Sequence, residues 1–236
     1  MNVLESLRHR ASDRRRRIIF PESSDPRVIQ AASDFTANGY GHAVVVTNSE
    51  LPKLHEAVET VSANDEGLRE KTIEQLIENR KHKGMDRARA ELAIADPLMF
   101  AALLVRTGHV DGSVAGSLAT TASVIRAGIY GVGTAAGRKL VSSYFLMQLP
   151  ERAMTYADCG VIPDPSAEEL AEIAIASAES HATLTGETPR VDMLSFSTKG
   201  SAVHPRIEKV KQAMALAEEM DPNLLIDGEL QFDAAF

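Results

Sequence analysis

Residues 17–47 read RIIFPESSDPRVIQAASDFTANGYGHAVVVT, a span that holds two apolar runs with one helical pattern between them. Arg17 to Phe20 reads as a strand stopped by Pro21. Asp25-Pro26 then opens a helix, because an aspartate caps exposed N–H groups and a proline at the first helical position lacks an N–H that would have gone unpaired anyway. Gly39-Tyr40-Gly41 closes that helix near Ala37, and His42 to Thr47 is a buried strand. Strand, helix and strand in so short a span predict a parallel pair with its crossover helix, the unit from which α/β folds are built.

The alternation continues along the chain. Glu66 to Lys83 and Asp86 to Ala95 are helical, and Asp96-Pro97 caps a third helix running to Thr107. Val110 to Ala115 reads as a strand, and Thr120 to Tyr130 as a helix. Leu140 to Gln148 and Ala153 to Asp158 are strands with no helix between them, so this pair is expected to be antiparallel. Pro165 to Glu168 starts an alanine-rich helix to Thr185. A strand at Asp192 to Phe196, a helix at Pro205 to Met220 and a strand at Leu224 to Ile226 follow. The expected class is α/β with a mostly parallel sheet. A change of character near Gly137 to Val141 divides the chain into residues 1–139 and 140–236.

The formal net charge of −8 argues against a nucleic-acid or membrane-surface partner, since both select clustered positive charge. Arg14 to Arg17 is the one basic run, and it reads as a solvated helix end rather than a phosphate contact. A single cysteine, Cys159, excludes an internal disulfide framework and any multi-cysteine metal site. The seven histidines are scattered, with no helical i, i+4 pair to hold a metal. The N-terminus, Met1 to Glu5, lacks the apolar run of a signal peptide. No stretch reaches the roughly 18 apolar residues of a membrane span. A cytoplasmic protein is expected.

Three segments could carry chemistry. In Asp111 to Arg126, a strand ends in small residues and hydroxyls follow at a helix N-terminus, where free N–H groups and the helix dipole favour an anion. Thr120, Thr121 and Ser123 could donate to such an anion, or could simply cap the helix; Arg126 lies one to two turns in. Arg80-Lys81-His82-Lys83-Gly84 reads first as positive charge stabilising a helix C-terminus; the alternative is a clamp for phosphates. Ser195 to Ser201 places Ser197, Thr198 and Lys199 at a strand's carboxyl end, where α/β proteins bind ligands. Its glycine, lysine and hydroxyls are not in P-loop order. Gly131-Val132-Gly133-Thr134-Ala135-Ala136-Gly137 imitates a dinucleotide fingerprint, but it follows a helix instead of a strand and is read as a turn. Asp227 and Glu229 flank a glycine and would point the same way on a strand.

Six segments in order resemble the phosphate acetyltransferase (phosphotransacetylase) family: IIFPESSDPRVIQAA (18–32), RKHKG (80–84), ADPLMFAALLVRTGHVDGSVAGSLATTASVIR (95–126), ADCGVIPDPSAEELAEIA (157–174), MLSFSTKGSA (193–202) and DGELQFDAAF (227–236). The resemblance departs from the family's pattern at Ser23-Ser24, Ala101 and Gly160 to Ile162. It implies two α/β domains with the active site in the cleft between them, and a homo-oligomer. The implied reaction is reversible acetyl transfer between acetyl phosphate and CoA by direct thiolate attack, with CoA as a substrate and no bound cofactor or metal. By motif position Arg80 and Arg126 resemble the family's two cleft arginines. The family's base and its serine–arginine pair match no position up to Phe236, so an N-terminal part of such an enzyme is expected, with the first domain's sheet incomplete, apolar surface exposed and activity impaired. Two relatives remain alternatives: an acetyl-CoA-sensing domain like that of some malic enzymes, and a phosphate butyryltransferase.

Overall fold

The computed structural model describes residues 2–47 and 54–236; Met1, used above in reading the N-terminus, lies outside the described residues. The chain forms two compact units, Ser6–Gly133 and Met1–Glu5 with Thr134–Phe236.

In chain order the elements up to Gly133 are α1 (Val3–Arg14), β1 (Arg16–Phe20), α2 (Pro26–Ala37), β2 (Gly41–Val46), β3 (Glu59–Val61), α3 (Glu66–Arg80), α4 (Arg87–Ala93), α5 (Pro97–Arg106), β4 (Gly112–Ser113) and α6 (Thr121–Ala127). A 3₁₀ turn, Lys81–Lys83, follows α3, and a π turn, Gly128–Val132, extends α6. The sheet order is β3-β2-β1-β4, every pair parallel.

Strand side chains alternate between two faces, so β1 and β2 divide their apolar residues. Phe20, Ala43 and Val45 meet Ile29 and Ala32 of α2. On the other face, Ile19, Val44 and Val46 meet Phe100, Ala101 and Leu104 of α5. Helix α5 is buried from Leu98 through Leu104, as an all-round apolar helix must be. The side of α5 away from the sheet packs with Ile73 and Leu76 of α3, Ala90 of α4 and Ala127 of α6.

The expected six-residue strand at Val110 to Ala115 shrinks to two residues. It pairs with β1 only at Ile18↔Gly112 and Ile19↔Ser113, after which the chain turns away to wrap a carboxylate described below. The basic run is not a single solvated helix end. α1 stops at Arg14, while Arg16 and Arg17 belong to β1. Arg16 pairs with Asp111 at 2.7 Å, and Arg17 holds both oxygens of Glu59 at 2.8 Å. α1 and β3 were not foreseen: the helix has one buried residue, Val3, and the strand is three residues long.

The remaining elements are β5 (Tyr144–Gln148), β6 (Ala153–Ala157), α7 (Ala167–Thr185), β7 (Arg190–Leu194), α8 (Pro205–Met220), β8 (Leu225–Leu230) and α9 (Phe232–Ala235). The β5–β6 pair is antiparallel, as the missing crossover helix predicts. β7 and β8 run parallel and pack on α7 and α8 through Ala167, Ala174, Met193, Val210 and Ala213. A reciprocal capping box fixes the start of α7: Ser166 accepts from the Glu169 N–H, and the Glu169 carboxylate accepts from the Ser166 N–H. Phe145, Leu194, Phe196, Leu225, Phe232 and Phe236 of this unit are exposed.

Candidate functional site

The loop between β4 and α6 is built around Glu22, which follows Pro21 at the carboxyl end of β1. One carboxylate oxygen accepts from the N–H groups of Gly116 (2.6 Å) and Ser117 (2.8 Å), the other from those of Leu118 (2.8 Å) and Ala119 (2.7 Å). Gly116 has φ +105°, a conformation that side chains disfavour. Four successive N–H groups aimed at one point form an anion-binding concavity, and the protein fills it with its own buried carboxylate. Burial alone would push the Glu22 carboxyl up; the four N–H donors outweigh that, and it sits below the ordinary glutamate value. Beside it, buried Asp25 caps α2 and accepts from Arg27 (2.7 Å) and the Ser117 hydroxyl. Those bonds, the Arg27 side chain's first, hold Asp25 well below the usual carboxylate range.

Of the hydroxyls read as possible anion donors, Thr120 caps α6. Its oxygen accepts from the Ser123 N–H at 3.2 Å and lies 3.0 Å from the Ser123 hydroxyl. The Thr121 side chain is exposed and has no hydrogen-bond partner among the described residues. Arg126, one turn further on, is exposed, and no carboxylate pairs with it among the described residues.

Arg80, the last residue of α3, lies with its guanidinium carbon 4.0 Å from the centre of the Tyr130 ring. It has no ion pair among the described residues, whereas the adjacent Lys81 pairs with Glu78 at 2.9 Å. Asn79 donates to the carbonyls of Tyr130 (3.1 Å) and Gly131 (2.7 Å), tying the π turn to the end of α3. Gly131 is needed there: a Cβ would stand 2.6 Å from that of Ala102 on α5. The glycine run read above as a turn is therefore helical over its first two residues. Tyr130 lies in the π turn that follows the α-helix carrying Arg126. Arg80 and Tyr130 thus form one cationic and aromatic pair.

The other unit supplies Ser197, Thr198 and Lys199. Ser197 is fully buried; its hydroxyl donates to Glu229 at 3.3 Å and accepts from the Ala202 N–H at 3.1 Å. Thr198 bonds the side chain and the N–H of Gln231. Lys199 donates to Asp227 and to the Gly228 carbonyl at 3.0 Å. Left-handed conformations at Lys199 (φ +47°) and Gly200 (φ +82°) aim two N–H groups at Glu229, that of Gly200 reaching its carboxylate at 2.6 Å. Asp227 and Glu229 do not share an environment, contrary to expectation. Met193 opposes Gly228 and Leu194 opposes Leu230, so Glu229 is the extra residue of a bulge, which re-aims its side chain. Asp227 stays exposed and Glu229 is buried.

Sequence reasoning missed Glu22, Asn79, Tyr130 and the Ser143–Asp158 pair. Asp158 accepts from the Ser143 hydroxyl and from the N–H groups of Gly160, Val161 and Ile162. Burial opposes that charge, but the four donors hold its carboxyl at about 2. Among the described residues no group of three His, Cys, Asp or Glu side chains could hold a metal, and no helix is long and apolar enough to cross a membrane.

A sequence profile described as Phosphate acetyl/butaryl transferase matches residues 2–236. The chain belongs to the phosphate acetyl/butyryl transferase family. A phosphate acetyltransferase of this family from Acetivibrio thermocellus is 41% identical over 248 aligned residues, covering 100% of this chain and 74% of the relative. Another, from Escherichia coli, is 42% identical over 229 residues, covering 93% of this chain but 32% of the relative. A solved phosphotransacetylase from Streptococcus pyogenes superposes with a TM-score of 0.89 at 31% identity, over 99% of this chain and 74% of that one. The chain thus spans about three quarters of some members of the family and about a third of others.

Proposed function

We propose that this chain carries the CoA- and phosphate-binding part of a phosphate acetyltransferase. In the reaction, CoA thiolate attacks the carbonyl carbon of acetyl phosphate, a C–S bond forms, the C–O bond to phosphate breaks, and the thiol proton passes to a base or to the departing phosphate. The observation that carries the reading is Arg80 and Arg126, two arginines free of carboxylate partners among the described residues, with Arg80 lying over the Tyr130 ring. Guanidinium groups held in place suit the phosphates of both substrates and the charge that develops as phosphate leaves.

Thr120, Ser123, Ser197 and Thr198 serve in this reading through the loops they fix, and Thr121 and Lys199 are the more accessible donors. The family resemblance matches no residue of this sequence to the catalytic base, and a base contributes about 10²–10⁴-fold. Binding and turnover are therefore measured separately. Homo-oligomerisation and a cytoplasmic setting belong to the same proposal. Titration calorimetry with CoA, beside thioester formation from acetyl phosphate and from butyryl phosphate, tests it. CoA binding with a preference for the acetyl donor is expected; butyryl preference would reassign the acyl group, and no CoA binding would overturn the reading.

A further inference from the structure

We infer that Tyr130 is a positioning residue that holds the Arg80 guanidinium ready for a phosphate-bearing ligand. The inference deepens the function proposed above and rests on Arg80 meeting substrate. Arg80 has no ion pair among the described residues to orient it, yet it is half-buried and lies 4.0 Å from the Tyr130 ring centre. An arginine side chain loses substantial rotamer freedom on ordering, so something must offset that loss before a ligand arrives. The ring does so: a guanidinium over an aromatic face is attracted electrostatically and still presents its coplanar N–H donors at its edge.

The ring is itself fixed from three directions. The Asn79 amide donates to the carbonyls of Tyr130 and Gly131, so the residue beside Arg80 sets the backbone that carries the ring. Gln75 donates to the Asn79 side-chain oxygen at 2.9 Å, which orients the amide. Gly131 seats the turn against Ala102 with no room for a Cβ. The carbonyls that the π turn leaves free at its end are thus bound by the helix whose last side chain the ring supports. Arginine, ring and turn form one closed set of contacts.

The test measures CoA, dephospho-CoA and acetyl phosphate binding by calorimetry to the 236-residue chain and its variants, with thermal unfolding of each. Tyr130→Leu should weaken binding roughly tenfold, from the scale of such stacks, with little change in Tm. Tyr130→Phe, which keeps the ring, should bind like the wild type. In an Arg80→Ala background, Tyr130→Leu should add nothing, the signature of a residue acting through another. The ligand whose affinity falls identifies the phosphate concerned: a loss confined to CoA marks its 3′-phosphate, a loss shared with dephospho-CoA its pyrophosphate, and a loss for acetyl phosphate the acyl donor. An unweakened Tyr130→Leu, or an equal loss in the Arg80→Ala background, overturns the inference alone. Binding of both CoA and acetyl phosphate that is unchanged by Arg80→Ala overturns the assignment of Arg80 to substrate, and the role of Tyr130 with it. Without ligand, the Arg80 Nε–H NMR resonance should show a ring-current shift that Tyr130→Leu abolishes; an unshifted wild-type resonance overturns the stack itself.

Discussion

Glu22→Gln should destabilise the Ser6–Gly133 unit by about 3–6 kcal/mol, although the two side chains have almost the same shape. Each Glu22 oxygen accepts two N–H groups at 2.6–2.8 Å. Glutamine keeps one oxygen and turns an NH₂ toward the other two donors. Two bonds to a charged acceptor are lost, each contributing about 1.5–3 kcal/mol net, and their N–H groups stay buried. Against a domain stability of about 5–15 kcal/mol this is a large fraction. Urea unfolding at pH 7 measures the loss, and hydrogen exchange at Gly116 to Ala119 locates it. The pH dependence supplies a second check. The folded carboxyl lies below its ordinary value of 4.5, so its contribution is fully present above about pH 4.5 and disappears as pH falls through the lower folded value. The gap between wild type and variant should therefore narrow below pH 4.5. A loss under about 1 kcal/mol, or a gap that stays constant into acid, would refute the argument.

Arg126→Ala should leave Tm within about 1–2 °C, because no carboxylate partner is lost among the described residues, while lowering affinity for CoA or acetyl phosphate about tenfold or more; calorimetry and unfolding scans separate the two. Gly131→Ala should cost about 1–3 kcal/mol, since its new methyl meets Ala102 at 2.6 Å, and should weaken ligand binding by moving Tyr130. Asp158→Asn should destabilise the turn over residues 158–162 at neutral pH. The Asp158 carboxyl is lowered to about 2, so the advantage of wild type is complete above about pH 4 and lost as pH falls through about 2; unfolding followed across that range decides it.

The parallel strand–helix–strand start was legible because its signals are local: Asp25 caps, Pro26 sits where its missing N–H is harmless, and Val44 to Val46 form an uninterrupted apolar run. α7 and α8 were legible for similar reasons, with Ser166 and Pro205 marking their starts. What local pattern could not show was which partner each polar loop would choose. A helix N-terminus preceded by small residues predicts an anion at the helix; the anion present is Glu22, more than ninety residues away in sequence, and it is held by the loop before the helix. Thr120 was readable both as donor and as cap, and geometry shows it capping. The bulge that separates Asp227 from Glu229 depends on the register between β7 and β8, which neither strand encodes alone. Tyr130 carried no local signal, because the partner that gives it meaning, Arg80, sits at the end of another helix.

The bonds from Glu22 to residues 116–119 join positions 94 to 97 apart, which bears on the order of folding. Closing so long a chain segment costs entropy that β1 and β2 of this unit, about two dozen residues apart, do not incur to the same degree. Contacts of high sequence separation are slow to form. The concavity at Gly116 to Ala119 should be among the last parts of the unit to consolidate, after β1, β2 and α5 have collapsed around Ile19, Val44 and Phe100. Substitutions at Glu22 should then speed unfolding and leave the folding rate nearly unchanged, giving φ-values near zero, while those at Phe100 should slow folding. The loop that shapes the proposed binding surface would be absent from the folding nucleus, so selection could alter it without obstructing the route to the fold.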